Sequence, residues 1–355
     1  MQQVMEFLVG TYSQPLGGMP ARGEGIYSAT IDLRTGALAK PRCLVRCPNP
    51  SYLAWGPGRR CLYATRELFA DSGPALASFR PRAGGLEEIQ SVALQGDLPC
   101  HISIDTTGQF LASAQYGGGD VAVYRLESSG GMLEPGVRIQ HAGCGPNKQR
   151  QEGPHAHYAA VLSERRMLVA VDLGLDAVIG YRVDLSTGSV DSTPLFTVPA
   201  EPGSGPRHLA MLPGTDTAYV YCELSDEIVQ LAFTPEGCRR VGLMRAFPPE
   251  RGVDPAGAAI RVSPDGRHVY VSGRSQSSIA CFAVDPVTHA LAPLADIDTG
   301  GMGPRDFSIT PDGSHLVVAN EHSDHVTSLR RDAASGLLSA TGHSLEVGSP
   351  VCILF

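Results

Sequence analysis

Short runs of alternating apolar and polar residues recur along the whole chain, each bounded by Gly, Pro, Asp or Asn. One stretch shows the grammar. "SPDG" (Ser263 to Gly266) reads as a turn, "HVYVSG" as an alternating strand, "RSQSS" as a polar turn, and "IACFAVD" as a further strand. Period-two alternation broken by turn formers is the signal for strands and hairpins. No segment keeps apolar residues at helical spacing over a dozen positions.

The grammar repeats. Similar units begin at Asn49, Leu98, Gly153, Gly205, Asp254 and Gly303. Each opens with a short apolar run near a proline. Two further strands follow, and a turn of the kind seen in "DLSTGSV" leads to a fourth, less regular strand. Four antiparallel strands recurring about every 50 residues predict the blades of a β-propeller. The chain ends supply a seventh blade. "SPVCILF" (Ser349 to Phe355) reads as its first strand; "FLVGTYS" (Phe7 to Ser13) and "GIYSATIDLRTGALA" (Gly25 to Ala39) read as its second and third. The expected fold is all-β: a seven-bladed propeller as one domain over 1–355. Its ring closes through a blade built from 1–48 plus 349–355, which removes an exposed sheet edge.

Composition narrows the function. The 355 residues are 43% hydrophobic and 18% charged, so a large core is available, and 41 Gly and 27 Pro supply many turns. The formal charge is −8 with no basic block, which argues against a nucleic-acid partner. No apolar run is long enough to span a bilayer. The first residues lack the basic start and apolar stretch of a secretion signal. Nine cysteines form no CxxC pair, which argues against structural zinc and predicts reduced thiols in the cytoplasm.

The chemistry-bearing residues share two slots of the repeat. His101, His155, His157, Arg207 and Arg305 follow a blade-opening proline. Glu67, Glu223, Arg274 and Glu321 end a second strand. In a propeller these slots lie around the mouth of the central channel, so distant segments are expected to converge there. In "QEGPHAHYAAV", alternation puts His155 and His157 on one side with Ala156 opposite. Such a pair suits a general acid or base, because imidazole titrates near working pH. The competing roles are hydrogen bonding to neighbouring blades and, as a minor reading, zinc ligation lacking a third ligand. Glu223 is expected either to orient His or water, or to form a salt bridge with Arg207 or Arg274. Arg207 and Arg274 carry the planar fork that binds carboxylate or phosphate. For Glu67 and Glu321 structural pairing with arginines across blades is the stronger expectation, and for Arg305 a structural role bonded to loop carbonyls. The longest polar interruption, "HAGCGPNKQRQEG" (His141 to Gly153), reads as either a surface excursion or a loop whose Lys148, Arg150 and Gln151 reach a ligand. "QYGGGDV" reads as a hairpin turn. No GxSxG elbow is present.

"NPSYLA", "PCHISID", "GPNKQRQEGPHAH", "VDLGLD", "GPRHLA", "YCELSDEI", "SPDGRHVYVSGR", "GPRDFSITPDG" and "VVANEHSD", with the terminal "SPVCILF", span essentially the whole chain. In this order and spacing they resemble the seven-bladed propeller lactonases of the bacterial 6-phosphogluconolactonase type. The eukaryotic 3-carboxy-cis,cis-muconate lactonising enzyme belongs to the same group. The resemblance implies a site of one His, one Glu and two Arg, falling here on His155 or His157, Glu223, Arg207 and Arg274. His101, Arg150, Gln151, Arg305 and Glu321 are expected around the substrate.

The function so implied is hydrolysis of a sugar lactone, favoured as 6-phosphoglucono-δ-lactone, by a cytoplasmic enzyme, monomeric or weakly dimeric, that needs no metal or organic cofactor. A carboxymuconate-type cycloisomerase, a lactonase for another aldonic or aromatic-degradation lactone, and a non-catalytic scaffold for protein partners are the rivals. Two departures from the family pattern stand out: Gly273 in "YVSGR", and the small residues of "DPAGAAI" (Asp254 to Ile260).

Overall fold

The computed structural model describes residues 3–18, 20–248 and 253–355. Met1, Gln2 and Met19, assigned above to the closing blade, lie outside them. The strands form seven four-stranded antiparallel sheets, the blades of a seven-bladed β-propeller. Blade 1 comprises Leu53–Trp55, Leu62–Arg66, Ala75–Arg82 and Gly85–Ala93; blade 2, Pro99–Ile104, Phe110–Gln115, Asp120–Arg125 and Val137–Gln140. Blade 3 comprises Ala156–Leu162, Met167–Asp172, Ala177–Arg182 and Phe196–Pro199; blade 4, Pro206–Met211, Thr217–Cys222, Glu227–Thr234 and Gly237–Arg245. Blade 5 comprises Gly257–Val262, His268–Gly273, Ser278–Val284 and Leu291–Asp298; blade 6, Pro304–Ile309, His315–Asn320, His325–Arg331 and Leu338–Glu346. Blade 7 takes its first strand, Pro350–Leu354, from the C-terminus and continues with Val4–Thr11, Gly25–Asp32 and Leu38–Arg46.

Backbone contacts group these blades into two compact units: Cys47–Arg207 with Phe233–Arg239, and Met1–Arg46 with His208–Ala232 and Arg240–Phe355. In the first unit, Ile102, Leu111 and Tyr124 pack with Tyr63 and Leu76 of blade 1, while Phe110, Val121 and Val123 pack with Val161, Leu168 and Ile179 of blade 3. In the second unit, the same alternation explains why second strands are apolar almost throughout. "HVYVSG" reads as half-exposed, yet all six residues are buried. Val269 and Val271 enter one core with Tyr219 and Tyr221, and Tyr270 enters another with Phe307 and Val318. Fourth strands are different: Leu291–Asp298 is mostly exposed. Burying a Val or Phe side chain contributes roughly 1.5–3 kcal/mol, so a second strand stabilises its blade far more than an exposed fourth strand does.

Blade 7 is held at both ends of the chain. Leu8, Val9 and Gly10 pair with Leu354, Ile353 and Cys352. The N–H of Ile353 also donates to Asp306 Oδ2 at 2.9 Å, and Ile353 packs with Phe7, Val9 and Val317. Among the described residues no helix is long and apolar enough to cross a membrane.

Candidate functional site

In the first unit the site begins with how His155 is fixed. It lies just before the strand Ala156–Leu162, and its backbone N–H donates to Asp172 Oδ1 at 2.8 Å. The turn after Asp172 presses on the same segment: a Cβ at Gly174 would meet the Gly153 carbonyl oxygen at 2.0 Å and the His155 nitrogen at 2.8 Å, so only glycine fits. His155 Nδ1 is 2.9 Å from the Tyr116 carbonyl oxygen. A carbonyl only accepts, so Nδ1 carries the proton, and in the neutral ring Nε2 holds the lone pair. The ring stacks on Tyr116, centroids 4.5 Å apart.

His157 sits at an irregularity in the pairing of its strand with Met167–Asp172, between Ala156 and Tyr158. Its ring meets the edge of the same Tyr116 ring at 5.6 Å, and its Nδ1 lies 3.5 Å from Cys100 Sγ. The two histidines therefore share one side, as alternation predicts, with Ala156 buried in the core behind them. His101 is enclosed between the rings of Tyr52 and Tyr158, each 4.4 Å away, and its Nδ1 accepts the N–H of Ala159 at 3.4 Å. Arg207, on the first strand of blade 4, is 2% exposed.

The loop His141 to Gly153 is ordered by its own polar groups, with Gln151 turned inward. Gln151 is fully buried, its amide donates to Leu173 O (2.9 Å) and Asp176 Oδ1 (2.7 Å), and its oxygen accepts the N–H of Asn147 (3.0 Å). These bonds occupy the side chain in bracing the loop. Its neighbour Arg150 is placed outward and reaches Tyr116 Oη at 3.3 Å; Lys148 is exposed.

In the second unit Glu223 and Arg274 each follow the second strand of their blade, as the slot predicts. They form an ion pair across adjacent blades at 3.0 Å, Glu223 buried and Arg274 19% exposed. Arg274 also donates to the carbonyls of Ala256 and Gly257. The small residues of "DPAGAAI" have a steric reason: a Cβ at Gly257 would lie 2.8 Å from both the Cys222 carbonyl oxygen and the Tyr221 ring. Gly273 likewise leaves room for Phe247. Beside the pair, Asp226 accepts from Tyr221 Oη (2.9 Å) and Gln276 Nε2 (2.7 Å). Burial raises its carboxyl above the usual range, against the pull of those two donors. Arg305 and Glu321 face each other at 3.8 Å, and Arg305 lies 5.2 Å over the Tyr12 ring. The expected pairing is present, but within one blade rather than across two.

A model of the family "Lactonase, 7-bladed beta-propeller" matches residues 6–355. The chain belongs to that family. It is 34% identical over 349 residues to the 6-phosphogluconolactonase of Bacillus subtilis (strain 168), covering 98% of this chain and 97% of that protein. A putative 6-phosphogluconolactonase from Bacteroides fragilis superposes with a TM-score of 0.88 at 27% identity, covering 99% of this chain and 98% of the other. The periplasmic gluconolactonase of Pseudomonas aeruginosa gives 0.88 at 29% identity, with the same coverage.

Three residues of this lactonase do work that its sequence did not announce. Tyr116, read only as part of a hairpin, supplies both the carbonyl and the ring that set His155. Asp172, part of "VDLGLD", anchors the His155 backbone. Glu152 places Oε1 3.3 Å from His155 Nε2. Among the described residues no group of three or more His, Cys, Asp or Glu is arranged to hold a metal ion.

Proposed function

We propose that this lactonase opens 6-phosphoglucono-δ-lactone to 6-phosphogluconate. The observation that carries the reading is the tautomer of His155. With Nδ1–H committed to the Tyr116 carbonyl, Nε2 is the basic atom, and a general base of this kind contributes typically 10²–10⁴-fold. Family membership and the Bacillus subtilis relative support the substrate class.

In the proposed reaction water attacks the lactone carbonyl while His155 Nε2 removes its proton. Arg207 stabilises the oxyanion. Collapse breaks the bond from the carbonyl carbon to the ring oxygen, which takes the proton back from the imidazolium. Arg150, extending from the loop, is assigned to the phosphate. His157 and His101 orient substrate hydroxyls through their ring edges. Arg305, Glu321, Glu223 and Arg274 are kept as candidate substrate contacts. With the charge of Arg274 compensated by Glu223, that pair suits hydroxyls better than phosphate. The reaction so written uses no cofactor. We place it in the cytoplasm, in keeping with nine free cysteines, and in a monomer or weak dimer.

Purified protein offered phosphogluconolactone, unphosphorylated gluconolactone and carboxymuconate side by side tests this. A kcat/KM for the phosphorylated lactone at least tenfold above the others is expected. Equal rates on gluconolactone would remove the phosphate contact; turnover of carboxymuconate would favour the cycloisomerase; no turnover of any would remove the enzyme reading. Glu223→Gln should act mainly on KM; a loss confined to kcat would move Glu223 into the proton transfer.

A further inference from the structure

His155 Nε2 is buried and makes no hydrogen bond, although it is the one ring nitrogen that the Tyr116 carbonyl leaves to exchange protons. The polar atom 3.3 Å from it is Oε1 of Glu152, whose side chain is 62% exposed. Glu152 is thus in contact with a buried imidazole at one end and with water at the other. Its place is not incidental. Gln151 on one side is fully buried and bonded to Leu173 and Asp176, and His155 on the other is tied through its N–H to Asp172. Two anchored neighbours hold the carboxylate over the ring.

The chemistry proposed above has a use for such a group. Hydrolysis of a lactone near neutral pH gives a carboxylic acid that ionises, so one proton is released in every turnover. The proton taken from water goes to the departing ring oxygen. The proton of the new carboxylic acid is the one that remains, and while the product fills the site the polar contact of Nε2 on the solvent side is the exposed Glu152.

We propose that Glu152 is the proton-exit residue of the site, taking from His155 Nε2 the proton released by the product acid and handing it to bulk water. The product O–H breaks and Nε2–H forms; Nε2–H then breaks as Glu152 Oε1–H forms; and Oε1–H is lost to water, leaving carboxylate, neutral imidazole and product carboxylate as the balanced end state. The environment suits release. Glu152 is held below the usual carboxylate range, first by its own backbone N–H, against slight burial, and then by His155 in its doubly protonated form and the charge of Arg150. A carboxyl so poised hands its proton on to water rather than keeping it. Glu152 acts through His155 and is a positioning and relay residue.

The inference rests on the reading of His155 as the base, and the two fail differently. Glu152→Gln should lower kcat in weak buffer with KM unchanged, by less than the roughly 10²–10⁴-fold that loss of the base itself costs. Imidazole or MES at high concentration should restore it, because a small buffer can accept the proton where Glu152 no longer does. Glu152→Asp should retain most of the rate. A loss in Glu152→Gln that buffer does not rescue, or no loss in weak buffer, overturns the relay. Full activity in His155→Gln overturns the base assignment instead, whatever Glu152→Gln shows.

Discussion

The carboxylate of Asp172 accepts the backbone N–H of His155 at 2.8 Å. Its other oxygen lies 2.6 Å from Nδ1 of His141, and the two side chains are almost wholly buried. One fully buried side chain at the end of a second strand thereby ties the start of the polar loop to the residue just after it. Asp172 also accepts the N–H of Leu175 at 3.0 Å.

Replacing Asp172 by Ala leaves the buried His155 N–H and His141 Nδ1 and the half-buried Leu175 N–H without partners, the two buried ones costing roughly 1–3 kcal/mol each. We expect Asp172→Ala to lose about 3 kcal/mol of stability in denaturant unfolding, and to lose kcat beyond that because His155 is no longer held. Unchanged kcat in folded protein would separate the anchor from the reaction.

The two histidines on Tyr116 should not be equivalent. His155→Gln removes the nitrogen fixed by the Tyr116 carbonyl and is expected to lower kcat by about 10²–10⁴-fold. His157→Gln, whose Nδ1 faces a thiol, should mainly raise KM. Steady-state kinetics on the two variants checks this; equal and negligible effects would take imidazole out of the mechanism.

Arg331, almost fully buried, joins the blades around it through Asp265 (2.8 Å), Tyr270 Oη (2.8 Å), Gly313 O (3.1 Å) and His268 Nδ1 (2.9 Å). Removing one partner of a buried pair typically costs about 3–5 kcal/mol. Arg331→Met should fall in that range by urea unfolding, with a loss below about 1 kcal/mol counting against the cluster.

The same cluster sets a pH dependence. Burial, then the charge of Arg331, lowers the His268 pKa below its usual value, with Asp265 and Asp332 pulling the other way and Arg267 adding to the lowering. The unfolded chain therefore binds a proton first, and stability falls as pH drops below about 6.5. Asp265, although burial opposes it, is brought down to about 2 by Ser263 and Arg331. Its contribution is complete above the unfolded value of 3.8 and is lost as pH falls towards about 2. Thermal unfolding followed from neutral to acid pH should show both declines, and Arg331→Met should flatten them.

A chain ending at Ser349 loses the strand Pro350–Leu354, with Val351, Cys352 and Ile353 all buried. Three core side chains at roughly 1.5–3 kcal/mol each amount to a large part of a typical stability of about 5–15 kcal/mol. Such a chain should fail to fold or should aggregate along the bared edge of Val4–Thr11. A full melting temperature would show that this strand is dispensable.

The order of strands, the seven sheets and the sharing of one blade between the two ends were legible because alternation and turn residues are local properties. They are fixed by Cβ direction and by which residues tolerate a turn. The slots of Glu223, Arg274, His155 and Arg207 were legible for the same reason, since a repeat places equivalent residues equivalently. Partnership was not. That Arg274 meets Glu223, that Arg305 meets the Glu321 of its own blade, and that Gln151 turns inward while Arg150 and Glu152 turn outward depend on distances between atoms far apart in the chain. His155 and the Tyr116 carbonyl are 39 residues apart, and no pattern in either segment names the other. A polar loop residue reads as solvated unless something supplies it with hydrogen bonds indoors, and only the folded arrangement of blades does so.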